Sequence, residues 1–263
     1  MSLSEEKTKS GVFALESELL GKEIPYYAIF SKDYENSSPR FPVLYLLHGL
    51  FGRFDNWLTN TKIIEYAAEF SLAVVCPEGG DGWYTDSLHL ENHFYESYIL
   101  EELIPTVERR FNIGQSRKKR AIAGLSMGGY GAFKFAFRRP EMFCFAASMS
   151  GAFHAAEISG DNRWAELQNS IHAVFKEDAS LRAETDLFQI IEDHSVEQLT
   201  KLPFFYFDCG TDDSFLPVNI RLARAFRQRG IAHEFNCFPG GHDWDYWNTQ
   251  IKNILQTAEK FLK

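Results

Sequence analysis

The sequence predicts an α/β protein built on a mostly parallel, doubly wound sheet with helices on both faces. Three observations predict it. Near-continuous apolar runs of four to eight residues recur along the chain, as strands buried on both faces require. Segments of helical periodicity separate most of them, the alternation of repeated βα units. The length of 263 residues, with 45% hydrophobic and 24% charged, suits one unit with a large core.

Taken in order, GVFALESELL and IPYYAIF flank Gly21 and read as an antiparallel hairpin. FPVLYLL (41–47) is the first buried strand, followed by helical spacing over 57–70 and the strand SLAVVC (71–76). A helix is expected over 92–110, kinked at Pro105, which lacks the N–H that an internal helical position donates. RAIAG (120–124) is a strand, 127–139 a helix ended by Pro140, and FCFAASMS (143–150) the next strand. Residues 154–201 break the alternation. They hold more than one helical stretch, AELQNSIHAVF and ETDLFQIIEDH among them, and are expected to form a small cap within a single domain spanning 1–263. PFFYFD (203–208), helical spacing over 218–229, AHEFNCF (232–238) and a helix from about 246 complete the series.

A net charge of −9 argues against nucleic acid as a partner, because such affinity comes from Lys and Arg neutralising phosphates. The basic run at 117–120 is short and reads as a solvated loop. No stretch approaches 18 apolar residues and the N-terminal MSLSEEKTKS has no apolar h-region, so neither a membrane span nor a signal peptide is expected. Cys76, Cys144, Cys209 and Cys237 lack C-x-x-C spacing and fall in or beside strand-like runs, which reads as buried thiols and a cytoplasmic protein.

Within KRAIAGLSMGGYGAFKFAFRRP (119–140), Gly124, Ser126 and Gly128 match G-x-S-x-G in the order strand, sharp turn, helix. That order is the nucleophile elbow of an α/β-hydrolase fold: small neighbours let the backbone fold tightly beneath an exposed serine, and the helix N-terminus favours negative charge there. A serine hydroxyl needs a general base oriented by an acid, and in such folds the chain order is Ser, acid, His. His48, His89 and His93 precede Ser126; His154, His172 and His194 fall in or at the edge of the cap; His233 sits within a strand. His242 remains, in FPGGHDWDYW, where two glycines permit a tight loop and aromatics can shield the imidazole.

The acid belongs after the preceding strand, where FFYFDCGTDDSF offers Asp208, Asp212 and Asp213. Asp208 reads as strand, and spacing leaves Asp212 and Asp213 equal. Oxyanion donors are expected from the Met127 amide and from the loop HGLFG (48–52), through Leu50 or alternatively Phe51. In GGDGWYTDS (79–87), Trp83 and Tyr84 follow a strand's carboxyl end, where such sheets bind ligands, and are expected to wall the substrate pocket with Phe51 and Trp244. HLENH (89–93) lacks the Glu directly after the first His that a zincin pattern requires, so no metal is expected, nor any cofactor.

HGLFGRFDNWL, GLSMGGYGA, CGTDD and PGGHDW, in this order, resemble the esterase family that includes esterase D or S-formylglutathione hydrolases, tributyrin esterases, feruloyl esterases and the mycolyltransferases. The resemblance runs from about residue 11 to the C-terminus. In that family the acid is the fourth residue of G-T-x-D, which implies Asp213 here, and the oxyanion donors carry over to Leu50 and Met127. It implies a serine carboxylesterase acting on a small ester through Ser126, Asp213 and His242. A thioesterase using the same residues is the rival enzyme, and a non-catalytic binding module on a hydrolase scaffold the rival from another class. Assembly with further copies of the chain is left open by the sequence.

Overall fold

The computed structural model describes residues 10–36, 40–157 and 165–263. Among these, eight strands form one sheet: β1 (Gly11–Ser17), β2 (Lys22–Ile29), β3 (Val43–Leu47), β4 (Ala73–Pro77), β5 (Arg120–Leu125), β6 (Phe145–Met149), β7 (Phe204–Gly210) and β8 (His233–Phe238). Their order is β1-β2-β4-β3-β5-β6-β7-β8. β1 and β2 are the leading hairpin, with Gly21 at φ 63° in the turn, and β2 meets β4 antiparallel; every other pairing is parallel. This is the α/β-hydrolase arrangement.

The apolar runs are continuous because both faces are covered. On β3, Val43, Tyr45 and Leu47 enter one apolar layer while Leu44 and Leu46 enter the other. Each such side chain contributes about 1.5–3 kcal/mol on burial. One layer is closed by α1 (Asn56–Asn60), α2 (Ile63–Ala67) and the C-terminal helix. The other is closed by α3 (Tyr95–Ser97), α4 (Ile104–Phe111) and α5 (Met127–Arg138), and beyond β6 by α6 (Ala165–Phe175), α7 (Ala179–Thr185), α8 (Leu187–Asp193) and α9 (Val196–Thr200). α10 (Leu216–Arg229) and α11 (Trp244–Phe261) follow β7 and β8. Buried Trp247, Ile251, Ile254 and Ala258 recur at helical spacing along α11. α6 to α9 lie in the segment expected to form a cap, of which 158–164 falls outside the described residues.

Four expectations change. The helix over 57–70 is two, because Thr61 is extended (φ −138°) and its hydroxyl donates to the Trp57 carbonyl, ending the first. Pro105 lies in the first turn of α4, directly after a π-helical stretch at Tyr98–Leu103. The wider turn is where the missing N–H and the ring are accommodated. The basic run at 117–120 is not a solvated loop. Arg120 is half-buried in a two-pronged pair with Glu108 (2.6 and 2.7 Å), and Arg117 donates to the carbonyls of Phe143 (2.9 Å) and Lys201 (2.8 Å). Finally, Cys237 is exposed and Cys144 half-buried, because β8 is an edge strand and Cys144 precedes β6.

Asp208 is fully buried within β7. Its Oδ1 accepts from the Tyr246 hydroxyl at 2.8 Å, while Oδ2 is buried with no partner among the described residues. Burial pushes the carboxyl from its ordinary 3.8 up to about 7, against the Tyr246 hydrogen bond. Between those values the native state holds a proton that the unfolded chain has released, so raising pH favours unfolding. Stability present below pH 3.8 is therefore lost as pH rises to about 7, by an amount on the order of a few kcal/mol. Asp208→Asn should flatten that decline in denaturant titrations. An identical decline in both proteins would mean that the carboxyl is already ionised in the native state.

Candidate active site

Strand order sets the site. β3 is followed in sequence by β4 on one side, whereas β5 lies on the other, a topological switch point where open α/β sheets form a crevice at the strands' carboxyl ends. Leu47 pairs with Gly124, Leu125 with Met149, Met149 with Asp208, and Gly210 with Phe238. The loops leaving β3, β5, β7 and β8 therefore emerge along one edge, carrying residues 48–52, Ser126, Asp213 and His242.

Ser126 sits between β5 and α5 at φ 52°, ψ −116°, a conformation a non-glycine residue holds only when its surroundings impose it. They do: its N–H donates to the Met149 carbonyl (2.9 Å), and its carbonyl accepts from the Ala152 amide (3.1 Å). A Cβ on Gly128 would come within 2.6 Å of the Leu47 and His48 carbonyls, so glycine lets α5 start against the loop after β3. Gly210 plays a like part, since a Cβ there would lie 2.2 Å from the Gly240 carbonyl oxygen. That contact seats the loop bearing Asp213 on the loop bearing His242.

Ser126 Oγ and His242 Nε2 are 3.1 Å apart, and His242 Nδ1 is 2.9 Å from Asp213 Oδ2. The ionised carboxylate can only accept, which assigns the imidazole proton to Nδ1 and leaves the Nε2 lone pair to accept from the serine hydroxyl. Asp213 Oδ1 accepts from the Phe215 amide at 2.7 Å, and the Asp213 side chain is wholly buried. Burial pushes its carboxyl up, but the hydrogen bond and charge of His242, the Ser150 hydroxyl and the Phe215 amide outweigh this and hold it below the ordinary carboxylate value. Asp212 is exposed, its amide tied to the Gly240 carbonyl at 3.0 Å. Phe215 and Trp247 stand edge-on to the imidazole, with centroids at 4.7 and 5.0 Å.

The amides of Leu50 and Met127 have no protein acceptor among the described residues, whereas the Phe51 amide donates to Asp81 Oδ1 at 2.8 Å. His48 braces this loop. It accepts from the Gly79 amide at Nε2 (2.8 Å), which places its proton on Nδ1 to donate to the Gly49 carbonyl (2.7 Å). A cleft of about 630 Å³ opens over Ser126 and His242, and Phe51 and Trp244 line it together with Leu125, Leu167, Phe215 and Trp247.

Trp83 and Tyr84 do not line that cleft, contrary to expectation. Both have positive φ (51° and 50°), which turns their side chains inward, and both are almost fully buried. Tyr84 packs where a Cβ on Gly131 would stand and donates to the His48 carbonyl (3.1 Å); Trp83 Nε1 donates to Ser170 (2.8 Å). The absence of a Cβ at Gly131 thus lets this loop pack directly against α5. Leu167 and Phe215, which sequence reasoning missed, arrive from α6 and from the loop before α10, and only tertiary folding could reveal them. In HLENH the histidines turn to different partners: His89 to Asp178 (3.0 Å), and His93 to the Tyr95 ring, with burial pulling its imidazole below the ordinary histidine value.

Comparison with known proteins joins this geometry to a lineage. A family model described as Putative esterase matches residues 17–258. An acetyl esterase of Caldicellulosiruptor saccharolyticus is 31% identical over 236 residues, covering 88% of this chain and 87% of that protein. The solved structure of a ferulic acid esterase aligns at a TM-score of 0.82 and 27% identity, covering 96% of this chain and 98% of that one. The S-formylglutathione hydrolase FrmB from Staphylococcus aureus aligns at 0.80 and 24% identity over 95% and 98% of the two chains, a likeness of fold.

Proposed function

The chain belongs to the esterase family described above, and from that premise we propose that it is a serine carboxylesterase hydrolysing small esters through an acyl-enzyme. The observation that carries this is the unbroken chain of contacts from Ser126 Oγ through His242 to Asp213 beneath an open, largely apolar cleft. Ser126 attacks the ester carbonyl while His242 Nε2 takes its proton. Asp213 holds the tautomer and stabilises the imidazolium that forms. The oxyanion is met by the amides of Leu50 and Met127, each such donor being worth about 10²–10³ in rate. His242 then returns the proton to the leaving alcohol, and water repeats the cycle on the acyl-serine.

No metal or cofactor enters this scheme. We read the chain as one domain, with the helices α6 to α9 as its cap. Among the described residues no helix is long and apolar enough to cross a membrane. All four cysteines are free, one of them exposed, which supports a reducing compartment, the cytoplasm.

Steady-state comparison of p-nitrophenyl acetate with S-formylglutathione tests the reading. A higher kcat/KM for the oxygen ester, with a burst of nitrophenol before the steady state, is expected. A preference for the thioester would make the protein a thioesterase working through the same residues.

A further inference from the structure

A second cavity of about 680 Å³ adjoins the catalytic cleft, and Phe51 lines both. Its far wall is α6, which presents Glu166, Asn169 and Ala173 at helical spacing to this cavity while Leu167 faces the cleft. Hydrogen bonds hold that wall to residues 79–93: Trp83 Nε1 donates to Ser170 (2.8 Å), Ser87 Oγ to the Val174 carbonyl (2.6 Å), and His89 meets Asp178 (3.0 Å). The partition is pinned as well, since Asp81, itself in the cavity lining, accepts the Phe51 amide, and the Phe51 side chain is 61% exposed. Two pockets on either side of one exposed ring, at the carboxyl edge of the sheet, have room for the two halves of an ester.

The linings differ in chemistry. The catalytic cleft is chiefly apolar, around Leu125, Phe215 and Trp244. The second cavity combines apolar Phe51 and Leu90 with the hydrogen-bonding groups of Asp81, Glu166, Asn169 and His93. Among the described residues no Lys or Arg lines either cavity, while Asp81, Glu166 and Asp243 do. Carboxylates accept hydrogen bonds from hydroxyls and repel anions.

Resting on the esterase reading above, we propose that the second cavity receives the leaving alcohol, that it takes an uncharged polyhydroxylated one, and that Glu166 with Asp81 rejects anionic alcohols. Phe51 and Leu90 cover the carbon face of the polyol, and the carboxylates and Asn169 meet its hydroxyls. One carboxylate at contact distance from a negative charge costs at least about fivefold in binding even at the dielectric of water. Glutathione, which carries net negative charge, fits this filter poorly.

The test uses 6-acetylsorbitol and 6-acetylgluconate, which differ only in one CH₂OH replaced by a carboxylate, with p-nitrophenyl acetate as reference. Wild-type protein should favour the sorbitol ester by at least about fivefold in kcat/KM. Glu166→Gln should narrow that ratio and Glu166→Lys narrow it further or invert it, through KM rather than kcat. An equal rate on both esters, or a ratio indifferent to the charge at 166, overturns the proposal. Turnover of p-nitrophenyl acetate with no turnover of either polyol ester overturns the subsite alone. Failure to hydrolyse any of the three overturns it together with the esterase reading.

Discussion

Ser126→Ala lowers kcat on p-nitrophenyl acetate by about 10⁶, the scale on which removal of a triad serine acts, because among the described residues Ser126 is the hydroxyl within hydrogen-bond reach of His242 Nε2. The expectation is sharpened by the strained turn. Ser126 is held at φ 52° by hydrogen bonds of its backbone, to Met149 and Ala152, so alanine keeps the fold and loses only Oγ. KM should change little, since the apolar lining of the cleft is untouched. Retention of more than a tenth of wild-type activity in a contaminant-free preparation would remove Ser126 from the chemistry.

Asp213→Asn lowers kcat by as much as about 10⁴, whereas Asp212→Asn costs far less. An amide at 213 can turn its NH₂ toward Nδ1, which then becomes the acceptor, so that Nε2 carries the proton and presents it, not a lone pair, to Ser126. It also withdraws the charge that stabilises the imidazolium. Asp212 is exposed and offers its backbone to Gly240, so its carboxylate faces water, where its charge is screened. Both variants should be assayed on one ester, with circular dichroism to establish folding. A larger loss at 212 than at 213 would reverse the assignment and leave Ser126 and His242 in their roles.

Much of this architecture is legible in the sequence because its determinants are local. A strand buried on both faces must be an apolar run, as VLYLL at Val43–Leu47 is, and a serine exposed on a strained turn must have neighbours as small as Gly124 and Gly128. Chain order, with the placement of four others in the cap or a strand, then narrows eight histidines to one. What escapes is decided by tertiary contact. Which of two adjacent aspartates faces His242 depends on a turn in which the Asp213 amide donates to the Gly210 carbonyl and Asp213 Oδ1 takes the Phe215 amide, and no spacing rule encodes that. Trp83 and Tyr84 have the composition of a pocket wall and the backbone of an inward turn. Arg120 looks like part of a charged loop until Glu108, twelve residues earlier, is brought against it. Leu167 reaches the cleft from a helix whose place follows from the packing of α6, not from its own periodicity.

The central claim, that Ser126 is the nucleophile of an acyl-transfer triad, is tested most directly by mass spectrometry of the native protein after exposure to a fluorophosphonate. One adduct per chain, mapping to Ser126, absent from Ser126→Ala and slowed in Asp213→Asn, is the result expected. An unmodified Ser126 in protein that still hydrolyses p-nitrophenyl acetate, or an adduct on any other residue, would contradict it.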